Sequence, residues 1–245
     1  MKYKAGEEKI AEYGIELYFC KKKTNRFLVV CHGFGDTKIQ YEEFQYLFDE
    51  LTKEYTVVTF TFSNCDNKIN NVWSVLEWVE DLKKIVSWIY SNDLYAQIYF
   101  LGISMGAWVS SLYCCVDGRV CKNICIGPVF TLHTGMRQCG GVALLYAQGT
   151  ESKVLNGIQV KKSFLESLII NQPINKMIHG VYHTPTILFV GERDNIYRKT
   201  DAIIAESVLM DRQIECIREE IPKGRHFINN EGAIQLLTSQ LIDCI

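Results

Sequence analysis

The sequence predicts an α/β fold in which a mostly parallel central sheet is flanked by helices. Two observations predict it. Apolar runs of strand character alternate almost throughout with stretches whose apolar residues recur at helical spacing, the order expected when helices cover both faces of a parallel sheet. The chain also has 245 residues, of which 48% are hydrophobic and 22% charged, enough for one sizeable core in one domain.

The elements follow in order. Phe27 to Cys31 reads as a buried strand, and Tyr41, Phe44, Leu47, Phe48 and Leu51 then recur as one face of a helix. Val57 to Phe62 is the next strand. A longer helix carries Val75, Trp78, Val79, Leu82, Ile85, Val86 and Ile89 along one stripe, with Trp73, Trp78 and Trp88 as packing groups. The run Ile98 to Leu101 is a third strand, and residues 107–115 form a helix stopped by Asp117-Gly118. Later strands are expected at Asn123 to Ile126, Thr186 to Val190 and Ile214 to Ile221, with helices at Asp201 to Met210 and Gly232 to Ile242. Between the regular regions, residues 131–183 carry Gly135, Gly140, Gly141, Gly149 and Gly157 and one helix around Phe164 to Ile169. So long a loop-rich stretch is usually functional. The domain reading is therefore a core of residues 1–130 and 184–245 with 131–183 as a lid inserted after the sixth strand.

Composition excludes several classes. A net charge of -2 and a pI near 6.2 give no attraction for nucleic acid or an anionic surface, and Lys21-Lys22-Lys23 reads as a solvated turn. The start is charged and lacks the apolar centre of a secretory signal, and no apolar run reaches membrane-spanning length. The ten cysteines read as small buried hydrophobes in a reducing cytoplasm rather than as a disulfide scaffold. Cys121 and Cys125 lack a second ligand pair at zinc spacing, so no metal is expected.

Chemistry enters at Gly102-Ile103-Ser104-Met105-Gly106, directly behind the apolar run 98–101 and ahead of a helix. Gly-x-Ser-x-Gly between a strand and a helix is the turn that presents a nucleophilic serine. The turn strains the serine backbone, and side chains at the flanking positions would collide with neighbouring elements, which explains the two glycines. The helix start then points N–H groups at the reacting centre.

A serine at neutral pH needs a positioned base, and the base needs an acid to orient it. Of the five histidines, His226 lies in the loop Pro222 to Phe227 after a strand and before the last helix; His133, His179 and His183 lie in or beside the insertion. Asp194 follows the strand end Phe189-Val190-Gly191 and completes the chain order Ser, Asp, His. Glu192 is the competing acid, with Asp194 favoured because it lies further into the loop. In His32-Gly33-Phe34-Gly35-Asp36, after the first strand, glycines let the backbone approach a substrate carbonyl, so that the Phe34 and Met105 N–H groups can form an oxyanion hole. His32 is then structural, and Asp36 caps the following helix.

With these four signals in order, the chain resembles the α/β-hydrolases over nearly its full length. Within that superfamily it is similar to the compact cinnamoyl and feruloyl esterases and their serine-aminopeptidase-like (S33-type) relatives, which carry a small insertion after the sixth strand. It departs from those esterases in having Ile103 and Met105 beside the serine, where they usually carry His and Gln, and Ser63-Asn64-Cys65-Asp66-Asn67 in place of their Asp-x-x-Gly-x-Gly loop. The resemblance implies a cytoplasmic serine esterase acting on a small or medium carboxylic ester through an acyl-enzyme, without a cofactor. A thioesterase or acyltransferase uses the same three groups, and a ligand-binding member of the fold is the non-enzymatic alternative. Tyr146 and Phe164, with Val142, Leu144, Leu145 and Leu168, are candidates for the substrate pocket. Oligomeric state and acyl preference are not specified by the sequence.

Overall fold

A computed structural model describes residues 8–10, 15–18, 24–35, 45–65, 73–131, 151–155, 158–194, 199–226 and 231–244. Their centre is an eight-stranded sheet built from β1 (Glu8–Ile10), β2 (Ile15–Tyr18), β3 (Arg26–Cys31), β4 (Thr56–Thr59), β5 (Gln97–Ile103), β6 (Val120–Ile126), β9 (Thr186–Gly191) and β10 (Cys216–Ile221). The spatial order is β1-β2-β4-β3-β5-β6-β9-β10. From β4 to β10 every neighbouring pair is parallel, while β1 and β2 form an antiparallel edge.

Alternate residues of the central strands feed two cores, because successive side chains of a strand point to opposite faces. Leu28 and Val30 join Leu47, Phe48 and Leu51 of α1 (Gln45–Leu51) and Leu237 and Leu241 of α7 (Glu231–Cys244) on one face. Val29 and Cys31 join α2 (Val75–Asn92), α3 (Met105–Cys114) and α6 (Thr200–Asp211) on the other. The apolar stripe read along α2 is the set of residues that the helix buries. Helix α3 is different, since all ten of its residues are buried.

Several boundaries differ from expectation. The strand read over Val57 to Phe62 leaves the sheet after Thr59, because the Phe62 N–H goes to a side chain, Nε2 of His32, instead of to a neighbouring strand. The strand expected from Ile214 begins at Cys216, and the one expected from Asn123 begins at Val120. Strands β1 and β2 were not expected; at three and four residues they are too short for periodicity to reveal. Within 131–183 the helix around Phe164 is α4 (Lys162–Ile170). That segment also holds an antiparallel pair, β7 (Ser152–Leu155) with β8 (Ile158–Lys161), and a second helix, α5 (Pro173–Ile178), none of which the periodicity predicts. Asp36, Tyr41, Phe44, His133, Val142, Leu144, Leu145, Tyr146, the Lys21-Lys22-Lys23 run and the glycines of 135–149 lie outside the described residues.

A very close junction holds α3 against β3. A Cβ at Gly106 would sit 2.1 Å from the Cys31 carbonyl oxygen and 2.7 Å from that of His32, and one at Gly102 would sit 2.5 Å from the Ala107 Cα. Backbone cannot yield as a flexible side chain can, so Gly106→Ala should cost about 3 kcal/mol or more. Gly118→Ala, where nothing lies within 4 Å, should change stability by less than about 0.5 kcal/mol. Urea unfolding of the two variants checks this, and equal stabilities would show that α3 can shift away from β3.

Candidate active site

The carboxyl ends of β3, β5, β6, β9 and β10 converge on one edge of the sheet, where open parallel sheets place their ligands. Ser104 follows β5 directly and precedes the first residue of α3. Its backbone lies at φ 54° and ψ -112°, a left-handed region costly for a side-chain-bearing residue. The turn is held by the Ser104 N–H donating to the Ile126 carbonyl at the end of β6, and by the Ser104 carbonyl accepting from Ala107. The first N–H groups of a helix have no carbonyl four residues back, so that of Met105 is not used by the α3 ladder.

His226 and Asp194 are brought to this serine from the two strand ends beyond β6. His226 Nε2 lies 2.8 Å from the Ser104 hydroxyl, and its Nδ1 lies 2.8 Å from Asp194 Oδ2. The three groups are nearly enclosed, at 5% exposure for Ser104 and 3% for His226. A carboxylate can only accept, so Nδ1 carries the proton of the neutral ring and Nε2 is free to accept from the serine.

The loops that carry Asp194 and His226 are bonded to each other. Arg193 N–H donates to the Gly224 carbonyl and Glu192 N–H to that of Ile221. The Glu192 carboxylate accepts from the Lys223 N–H at 2.6 Å. Glu192, the competing acid, is thus exposed and turned to the His226 loop's backbone, while Asp194 meets the ring. Gly191 permits the junction, since a Cβ there would lie 2.5 Å from the Arg225 carbonyl oxygen. Gly127, at φ +53°, does the same beside His226, where a Cβ would lie 2.7 Å from the His226 carbonyl oxygen. The sequence reading did not single out Gly127; its signal is a glycine at the end of β6, followed by Pro128.

Phe34 is carried by the loop after β3. Its ring meets Trp73 edge-on at 5.0 Å and stacks on Phe164 of α4 at 6.2 Å. Phe164 is 2% exposed and also contacts Trp78, so this pocket candidate packs the insertion onto the Phe34 loop. Leu168, another candidate, is buried on the same helix. The neighbouring loop after β4 is pinned by Asp81, which accepts from the Ser63 N–H and hydroxyl, and by the indole N–H groups of Trp78 and Trp73.

His32 joins those two loops. Its Nδ1 lies 2.9 Å from the Gly33 carbonyl and must donate to it, leaving Nε2 to accept from the Phe62 N–H at 3.0 Å. Among the described residues, no three His, Cys, Asp or Glu side chains stand together as metal ligands, and no helix is long and apolar enough to cross a membrane.

A family model described as serine aminopeptidase, S33, matches residues 22–179. No curated protein matches the chain. Solved structures do match. Est1E from Butyrivibrio proteoclasticus is 12% identical, with a TM-score of 0.71 over 95% of this chain and 93% of that one. The esterase domain of a Rhodothermus marinus protein is 14% identical, with a TM-score of 0.67 over 94% and 90%. The Pyrococcus furiosus esterase Pf2001 is 15% identical, with a TM-score of 0.67 over 94% and 85%. At such identities the likeness is one of fold.

Burial lowers the pKa of His32 from 6.5 to about 4. Protonation would also set a donor against the Phe62 N–H. Because the folded state resists a proton that the unfolded chain takes up near 6.5, the neutral ring's contribution is complete above that pH. It is lost as pH falls from about 6.5 to 4, at a total cost of about 3 kcal/mol. Urea midpoints measured from pH 7 to 4 should therefore fall less steeply for His32→Gln than for the unmodified chain. Parallel slopes would mean that His32 titrates as it would in water.

Proposed function

The chain belongs to the serine aminopeptidase S33 family of hydrolases, and from that premise we propose that it is a serine esterase cleaving a small or medium carboxylic ester through an acyl-enzyme. The observation that carries this reading is the hydrogen-bonded chain Asp194–His226–Ser104, 2.8 Å at each step, on a strained strand-to-helix turn.

Ser104 Oγ attacks the ester carbonyl as His226 Nε2 takes its proton. Asp194 holds the Nδ1–H tautomer and stabilises the imidazolium that forms. The tetrahedral oxyanion is held by the N–H groups of Met105 and Phe34, which cost no reorganisation because α3 and the Phe34 loop are already fixed. His226 then protonates the departing alcohol. Water enters, His226 takes its proton, and the acid leaves as the serine is restored. No step calls on a metal or an organic cofactor.

The core, 1–130 and 184–245, supplies these groups, and 131–183 acts as a lid that shapes the acyl site, with Tyr146 and Phe164 among its determinants. The substrate is a small molecule, and the enzyme works in the cytoplasm. A nitrophenyl ester panel run beside acyl thioesters separates esterase from thioesterase, and fluorophosphonate labelling of Ser104 separates enzyme from ligand-binding protein.

Ser104→Ala should lower kcat by roughly 10⁴- to 10⁶-fold with the fold retained, and His226→Ala should be comparably damaging, because the two act as a unit. Asp194→Asn should cost less than either, and Glu192→Gln little, as its carboxylate meets only backbone of the neighbouring loop among its described contacts. Steady-state kinetics on one ester, with far-UV dichroism as the control for folding, decide the matter. Undiminished turnover in purified Ser104→Ala would sink the mechanism.

A further inference from the structure

Helix α3 follows Ser104 directly and is tied to β6 at two heights. At its start the Ser104 N–H donates to the Ile126 carbonyl at 2.9 Å. About two turns further along, the Ser110 hydroxyl lies 2.8 Å from Asn123 Oδ1 and the Ser111 hydroxyl 3.0 Å from Asn123 Nδ2. On its other side Nδ2 lies 3.1 Å from the Tyr182 hydroxyl, which lies 2.6 Å from Thr186 Oγ1, itself 2.9 Å from the Thr184 carbonyl. Asn123, Ser110, Ser111 and Tyr182 are all fully buried.

The directions of these bonds are fixed from the far end. A carbonyl can only accept, so the Thr186 hydroxyl spends its one proton on Thr184 and the Tyr182 hydroxyl donates to Thr186. The amide N–H groups of Asn123 must then face Tyr182 and Ser111, and Oδ1 is left to accept from Ser110. Successive helix residues stand about 100° apart around the axis. Bonds from two such residues to opposite atoms of one rigid amide therefore fix the rotation of α3 as well as its distance from β6. Ala107, Trp108, Val109 and Leu112 of the same helix are buried in apolar contacts, which are non-directional and oppose separation more than rotation.

We propose that Asn123 is a positioning residue for Ser104: its grip on Ser110 and Ser111 sets the rotation of α3, and with it where the Ser104 hydroxyl and the Met105 N–H stand relative to His226, an inference resting on the esterase reading above. None of the side-chain bonds of Asn123 reaches Ser104, His226 or Asp194. A rotation of about 20° carries a helix Cα roughly 0.8 Å, and a misplacement of about 1 Å costs on the order of a hundredfold in rate. The loss falls on attack by Ser104, so kcat and covalent labelling fall together while KM stays.

The full chain carrying Ser110→Ala together with Ser111→Ala, Asn123→Ala or Thr186→Val is assayed on nitrophenyl acetate, with a fluorophosphonate to label Ser104 and thermal unfolding to rank stability. Thr186→Val is the control, since it cuts the network beyond Tyr182 and keeps both bonds between the amide and α3. The double-serine variant should lose roughly 10- to 100-fold in kcat and in labelling rate, with KM within threefold. Asn123→Ala should match it; should that variant fail to fold, the double-serine variant carries the test. Thr186→Val should stay within threefold in every rate even where its Tm falls as far. Undiminished kcat and labelling in the folded double-serine variant overturn the proposal. So does a loss in Thr186→Val that matches the double variant's in proportion to the fall in Tm, which a general loosening would give. If the unmodified chain neither labels nor hydrolyses the ester, it is the esterase reading that fails. Amide hydrogen exchange then decides the grip: exchange in α3 relative to α2 should quicken at least tenfold in the double-serine variant and not in Thr186→Val, and an unchanged ratio overturns it.

Discussion

Everything in this molecule's reactive edge depends on how closely the start of α3 lies against the end of β3. With Gly106 seated on the carbonyls of Cys31 and His32, the chain has no room to leave β5 except through a turn that puts Ser104 at φ 54°. That conformation persists only where its surroundings over-determine it. They do so here: α3 is buried on every side, its Ser110 hydroxyl donates to Asn123 Oδ1, and its Ser111 hydroxyl accepts from Asn123 Nδ2. Since Asn123 also holds Tyr182, one buried amide joins the serine's helix, β6 and the returning insertion. Both of its N–H groups and its oxygen are bonded, the condition under which a buried polar network fixes geometry instead of weakening a core.

The remaining groups reach Ser104 through backbone-to-backbone closeness. The β9 and β10 loops touch where Gly191 meets Gly224 and Arg225, and Gly127 gives the His226 ring its seat. His32, Asp81, Trp73 and Trp78 fix the loops behind Phe34 in a comparable way. The site is thus a set of loops bonded to each other, with the Asp81 and Glu192 carboxylates tying backbone together and Asp194 meeting the His226 ring inside that frame. An enclosed carboxylate is tolerated there because an N–H faces it.

The parts of the fold legible in the sequence are those that local patterning dictates. The stripe along α2 is set by helical period against a flat sheet, and the parallel strands by unbroken apolar runs. Ser104 is legible because strain demands glycines on both sides. Other features depend on residues far apart in the chain. The Asp194 and Glu192 carboxylates are two positions apart, and only the approach of the β10 loop separates one that meets an imidazole from one that meets a backbone N–H. Phe60 and Phe62 look like strand and leave the ladder, because a histidine thirty positions back takes an N–H that a neighbouring strand would otherwise have used. Asn123 and Asp201 look like ordinary polar residues until partners 59 and 70 positions away are in place. The short α5 and the edge strands β1 and β2 offer too few residues for any period to emerge.

The complete burial of α3 also bears on how the molecule opens. Amides in such a helix exchange with solvent through global unfolding, whereas elements held by a few side chains open at lower free energy. Among the described residues α4 rests on the core through Phe164, Leu165 and Leu168, all apolar side chains rather than hydrogen-bonding partners. The strained turn therefore sits in the last cooperative unit to come apart, so the backbone that presents Ser104 keeps its shape as long as any of the core does.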